Sequence, residues 1–136
     1  MKIVIISAME VINLSPTNSS PKVILDKEKG IFEIKGVSFP EDVKEFYIPL
    51  INWFKLYFEK PNDETYLKLR LMYMNTASSK LIYEIFQLFK FAHKAGIKVK
   101  IHWQYNIEDE QMGDAGEDFA ILLEGVPFRV EGVSVY

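Results

Sequence analysis

The strongest constraint on the fold is a change of hydrophobic period in the middle of the chain. From Leu67 to Met74, Leu67, Leu69, Leu71 and Tyr73 alternate with Lys68, Arg70, Met72 and Met74, the two-residue period of a strand. The end of this run is apolar on both faces, which predicts a strand entering a sheet covered on both sides. After Asn75-Thr76-Ala77-Ser78-Ser79, apolar residues recur at Leu81, Ile82, Ile85, Phe86, Leu88, Phe89 and Ala92, the spacing of a helix face. A strand that turns directly into a helix is half of a strand–helix–strand unit, so the chain is read outward from this junction.

Upstream, Pro40 to Glu59 carries Phe46, Tyr47, Leu50, Ile51, Phe54, Tyr57 and Phe58 at helical spacing. Ser38-Phe39-Pro40-Glu41 has the form of a capping box and predicts the helix start. Pro49 lies inside the pattern, which continues beyond it, so one bent helix is expected. Before it, Lys22–Asp26 and Ile31–Lys35 flank Lys27-Glu28-Lys29-Gly30, a hairpin signature. Val11–Leu14 is a further strand candidate, and Ile3–Ile6 is either an edge strand or a loose start.

Downstream, the second helix is expected from Ala77 to Lys94, with Gly96 as its left-handed stop. A strand follows over Ile97–Trp103. Asn106–Glu124 holds seven acidic residues and no basic one, and reads as a loop leading into a helix with Phe119, Ile121, Leu122 and Leu123. Pro127–Val135 alternates as a last strand. Strand–helix–strand units in series imply right-handed crossovers and a largely parallel core. The early hairpin adds antiparallel strands. The expectation is an α/β domain: a mixed sheet with an N-terminal hairpin and three helices mainly on one face. At 136 residues, one domain spans 1–136, with 1–20 as an irregular or edge-strand start.

Composition narrows the function classes. The formal charge of −3 is unsuited to neutralising phosphates along a nucleic acid. The absence of cysteine excludes disulfides and thiolate chemistry. No apolar run reaches the roughly 20 residues that cross a bilayer, so a cytoplasmic protein without a membrane partner is expected.

Two segments carry candidate chemistry. Asn75, Thr76, Ser78, Ser79 and Lys80 stand where unpaired helix N–H groups face outward. Such a terminus accepts an anion, or a phosphate on a hydroxyl, and the same residues also serve as ordinary caps. Glu108, Asp109, Glu110, Asp114, Glu117 and Asp118 could hold magnesium, begin a solvated helix, or face a basic partner. His93 and His102 lack a second ligand at metal spacing, and neither a phosphate loop nor a nucleophile elbow is present.

With those residues in view, Leu69–Lys80, and above all Tyr73-Met74-Asn75-Thr76-Ala77-Ser78-Ser79, resembles the SiaC-type regulatory phosphoproteins, whose signature here is aromatic–apolar–Asn-Thr-Ser-Ser. Pro49-Leu50-Ile51-Asn52-Trp53, Trp103-Gln104-Tyr105, Glu108-Asp109-Glu110-Gln111-Met112 and Gly116-Glu117-Asp118-Phe119 extend the resemblance over about Phe32 to Phe128. It implies a STAS-like, anti-anti-sigma-factor-like fold and a non-catalytic switch without cofactors. It also implies that Thr76 is phosphorylated by a serine/threonine kinase and released by a metal-dependent phosphatase. The unphosphorylated form would bind a diguanylate cyclase or another output protein, in cyclic-di-GMP and biofilm signalling. Ala77 departs from the family pattern, where serine is expected. Asn75, Ser78, Ser79 and Lys80 would serve in capping or partner contact. A small-anion sensor, and a magnesium enzyme built on the 108–118 carboxylates, are the alternatives.

Overall fold

The computed structural model describes residues 9–134. Six strands form one sheet in the order of the chain: β1 (Ile12–Leu14), β2 (Lys22–Asp26), β3 (Ile31–Ser38), β4 (Glu64–Met74), β5 (Lys98–Asn106) and β6 (Phe128–Val133). β2 pairs antiparallel with both β1 and β3, and β3 to β6 are parallel. Helices α1 (Val43–Tyr57), α2 (Thr76–Lys94) and α3 (Glu110–Leu122) connect the parallel strands. Each crossover advances by one strand in the same direction. A common right hand therefore puts all three helices on one face. This is the mixed sheet that the sequence implied, and it matches the STAS-like fold expected from the resemblance. The segment Ile3–Ile6 lies outside the described residues.

The core lies between sheet and helices. Val23, Leu25, Phe32, Ile34, Leu67, Leu69, Leu71, Val99, Ile101 and Trp103 meet the buried faces of α1 and α2. Aromatic rings fill much of the gap. Trp53 stacks on Tyr57 at 5.4 Å, and Phe86 meets Phe119 edge-on at 5.0 Å. α1 runs unbroken through Pro49. Pro49 is exposed, so water can reach the Glu45 carbonyl that loses its helical donor. α2 ends where expected: Gly96 has φ +89°, and the N–H of Ile97 reaches back to the Ala92 carbonyl at 3.0 Å.

Three expectations are corrected. α1 begins at Val43, not Pro40. Its cap is Asp42, whose Oδ1 accepts the Glu45 N–H at 3.0 Å, so no capping box forms at Ser38. Ser38 instead ends β3 and is fully buried. The sheet face opposite the helices carries no helix among the described residues, and presents Glu33, Lys35, Lys68, Arg70, Gln104, Arg129 and Glu131. The end of β4 is accordingly not covered: Met72 and Tyr73 are exposed. Finally, β5 runs on to Asn106, past the predicted end at Trp103.

Candidate functional site

The C-terminal ends of four parallel strands and the N-termini of all three helices share one edge of the molecule. In open α/β sheets this is the edge where ligands and partners meet the chain. Its centre is the junction between β4 and α2, and a β-bulge sets the geometry there. Gly36 pairs with Leu71 and Val37 with Tyr73, so Met72 has no opposite residue. One extra residue reverses the phase of everything after it. Met74 turns inward and packs on the core, while Tyr73 turns out beside Met72. The simple alternation read from the sequence assigned Tyr73 and Met74 to the opposite faces.

The chain then enters α2 within one residue. The backbone N–H of Asn75 donates to the Ser38 carbonyl at 3.0 Å, which ties the junction to the end of β3. Asn75 is the N-cap: its Oδ1 accepts the Ser78 N–H at 2.8 Å, and its carbonyl accepts the Ser79 N–H at 3.0 Å. Thr76 is thus the first helical residue, one earlier than predicted, and its side chain is exposed. The N–H groups of Thr76 and Ala77 have no acceptor within the helix. Lys80 stands one turn further on, exposed and on the same helix face as Thr76.

The candidate residues separate by depth. Thr76 and Lys80 are exposed, Asn75 and Ser79 are half-buried, and Ser78 is fully buried. Ser78 faces inward, not toward a partner. Its Oγ accepts the Ser38 hydroxyl at 2.8 Å, and the Ser38 Oγ lies 2.6 Å from the Tyr47 hydroxyl. Since Ser38 has one proton and gives it to Ser78, Tyr47 donates to Ser38. Burial pushes the Tyr47 phenol up to about 12, and the hydrogen bonds with Ser38 and Ser78 offset part of that rise. This chain of hydroxyls joins β3, α1 and the start of α2 below the surface.

Above it lies an aromatic shelf that strand periodicity alone did not single out. Phe39, just past the end of β3, meets the ring of Tyr73 edge-on at 5.8 Å, and both are exposed. With Met72, they place apolar surface immediately before the exposed hydroxyl of Thr76. The available signal was Phe39 followed by Pro40, outside either periodic segment.

Electrostatics distinguish the three helix starts. α1 is capped by Asp42 with Glu45 in its first turn, and α3 by Asp109 with Glu110. α2 has a neutral cap and no acidic residue in its first turn. Its partial positive charge is therefore the uncompensated one of the three. The acidic residues from Glu108 to Asp118 are distributed along the start and body of α3. Asp109 uses its Oδ1 on the Met112 N–H at 3.1 Å. No group of three or more His, Asp or Glu among the described residues is placed to hold a metal ion. Gly113 and Gly116 serve packing: they bring α3 against Tyr105 and Trp103, and the Trp103 indole donates to the Met112 carbonyl at 2.9 Å. No helix among the described residues is long and apolar enough to cross a membrane.

Comparison with known proteins agrees with this architecture. A family model described as "SiaC family regulatory phosphoprotein" matches residues 14–133. A protein of Pseudomonas aeruginosa (strain UCBPP-PA14), described as uncharacterized, is 30% identical over 111 residues, covering 82% of this chain and 88% of its own length. The crystal structure of apo-SiaC from Pseudomonas aeruginosa superposes with a TM-score of 0.84 at 27% identity, covering 91% of this chain and all of that one. A chain in the crystal structure of the diguanylate cyclase SiaD in complex with its activator SiaC, from the same organism, superposes equally well. Its TM-score is 0.84 at 28% identity, over 90% of this chain and 99% of that one. A sheet ordered as the chain is, a bulged β4 opening directly into a neutral-capped α2, and a family match over nearly the whole length have one reading: the chain belongs to the SiaC family of regulatory phosphoproteins.

Proposed function

We propose that this chain is a partner switch controlled by phosphorylation of Thr76. The observation that carries the reading is the position of Thr76: an exposed hydroxyl at the first residue of α2, beside two free N–H groups and without a neighbouring carboxylate in that turn. A serine/threonine kinase can reach it without unfolding the junction. The added phosphate carries about −1.5 to −2 charges at neutral pH and meets the helix dipole and Lys80.

The partner is a diguanylate cyclase, by analogy with the complex of SiaD and its activator SiaC. It binds the unphosphorylated form across the shelf of Phe39, Met72 and Tyr73 and the start of α2. An apolar contact over this shelf brings Thr76 to the contact or its rim. A doubly charged phosphate there loses water under the partner, a cost that the single Lys80 charge and the helix dipole do not offset, and the partner is released. A metal-dependent phosphatase resets the switch. The fold itself needs no rearrangement, because Asn75 and Ser78 hold the helix start from beneath.

The test joins mass spectrometry to calorimetry. Incubation with the serine/threonine kinase of the same organism is expected to add one phosphate, located on Thr76 by fragmentation and absent in Thr76→Ala. The phosphorylated protein, and Thr76→Asp more weakly, should lose affinity for the diguanylate cyclase. A phosphate found on another residue, or equal affinity of both forms, overturns the proposal.

A further inference from the structure

The sheet ends on β6, and among the described residues no strand pairs with its outer edge. The opposite edge, β1, has only three residues, whereas β6 has six. On the inner side, the Pro127 carbonyl accepts the Ile101 N–H, and the Val133 carbonyl accepts the Ile107 N–H. Residues 127, 129, 131 and 133 therefore turn their backbone groups toward β5. By alternation, Phe128, Val130 and Gly132 point theirs outward. Three N–H and three C=O groups thus form a ready edge for another strand.

The side chains along this edge are complementary to themselves. Arg129 and Glu131 lie on the open face and already touch each other at 3.1 Å, and the Arg129 side chain is 54% exposed. We propose that β6 pairs antiparallel with β6 of a second copy, about a two-fold axis at Val130. In that register Arg129 of each copy stands opposite Glu131 of the other, and Phe128 opposite Gly132, which adds no side chain to crowd it. All three outward residues then form hydrogen-bonded pairs, six bonds in total by the geometry of antiparallel ladders. The neighbouring registers are disfavoured by charge. A slip in one direction sets Arg129 against Arg129, and a slip in the other sets Glu131 against Glu131. The two-fold closes the assembly as a dimer with one twelve-stranded sheet, and keeps both helix layers on the same face. The edge formed by the helix N-termini stays at the strand ends, outside this interface. The dimer therefore stands or falls independently of phosphorylation at Thr76.

Sedimentation velocity of the full chain over about a hundredfold concentration range tests the pairing, with amide exchange as a second readout. The expected result is a monomer–dimer equilibrium in which the amides of Phe128, Val130 and Gly132 exchange more slowly as dimer forms. Arg129→Glu is expected to weaken association about tenfold, as is Glu131→Arg. An equimolar mixture of these two variants should associate again, because each supplies the charge the other lacks. A monomer throughout the range overturns the proposal. So does a dimer that leaves the three amides unprotected, association unaffected by Arg129→Glu, or a mixture that stays monomeric.

Discussion

Gly116 leaves no space for a side chain above the indole of Trp103. A Cβ at position 116 would clash with the ring, whose Nε1 is fixed by the bond to the Met112 carbonyl. The close approach of α3 to β5 depends on this contact. Replacement by alanine gains helix propensity of about 1 kcal/mol, yet must push the helix off the strand. Gly116→Ala is expected to lower stability by about 1–3 kcal/mol in denaturant unfolding.

Tyr47 makes the interior sensitive to alkali. Its folded-state pKa is raised to about 12, so its contribution to stability is fully present below pH 10 and is lost as pH rises through 12. Tyr47→Phe leaves the Ser38 oxygen without its donor and should cost about 1 kcal/mol at neutral pH. The same variant should lose stability less steeply between pH 10 and 12 than the parent. Urea titrations at a series of pH values measure both effects.

Asn75 caps α2 without adding charge. Asn75→Ala removes the acceptor for the Ser78 N–H and should cost about 1 kcal/mol. Asn75→Asp keeps the cap and should hold stability within about 0.5 kcal/mol, while placing a carboxylate beside Thr76. Thermal denaturation separates the two variants. The aspartate is expected to slow the proposed phosphorylation of Thr76 even though the fold is intact.

Tyr73 turns outward only because of the bulge. Tyr73→Ala should leave unfolding nearly unchanged, since the side chain is half exposed. On the proposed docking surface, affinity for a diguanylate cyclase partner should fall by about tenfold or more, as for an aromatic anchor at the middle of an interface. Calorimetry with the unphosphorylated protein gives the value.

Glu131 makes the open face sensitive to acid. Hydrogen bonds from Gln104 and His102, with the nearby Arg129 charge, hold its carboxyl below the ordinary 4.5. A depressed pKa contributes stability above pH 4.5 that is lost as pH falls through the lowered folded value. Glu131→Gln should therefore show a flatter stability curve on the acid side, read by the same urea titrations.

Much of this architecture is legible in the sequence because local period and burial agree. In α2, Leu81, Ile82, Ile85, Phe86, Phe89 and Ala92 were all expected inside and are buried. The hairpin turn falls where alternation and Gly30 put it, and β4 ends at Met74 as its alternation does, while β3 runs on through Gly36 to Ser38, past the expected end at Lys35. The misses share one cause: each depends on a neighbour distant in sequence. Ser38 has the local signature of a cap, but Tyr47 and Ser78 draw it into the core, and Asp42 takes the helix start. The bulge at Met72 arises from register against β3, which alternation within β4 does not encode. Gly113 and Gly116 acquire meaning only against the rings of Tyr105 and Trp103. At the candidate site, the residues alone left a cluster of caps and the family resemblance singled out Thr76, whereas the inward turn of Ser78 and the outward turn of Tyr73 needed the fold.

The order of strands in the sheet is the order in which they are synthesised. Each strand–helix unit can therefore dock on an edge already complete, without threading past a later segment. The antiparallel β1–β3 ladder joins near neighbours in sequence, and each parallel strand lies beside the strand that precedes it. Among the described strands, β6 is the last to emerge during synthesis, and it finds the edge of β5 already in place.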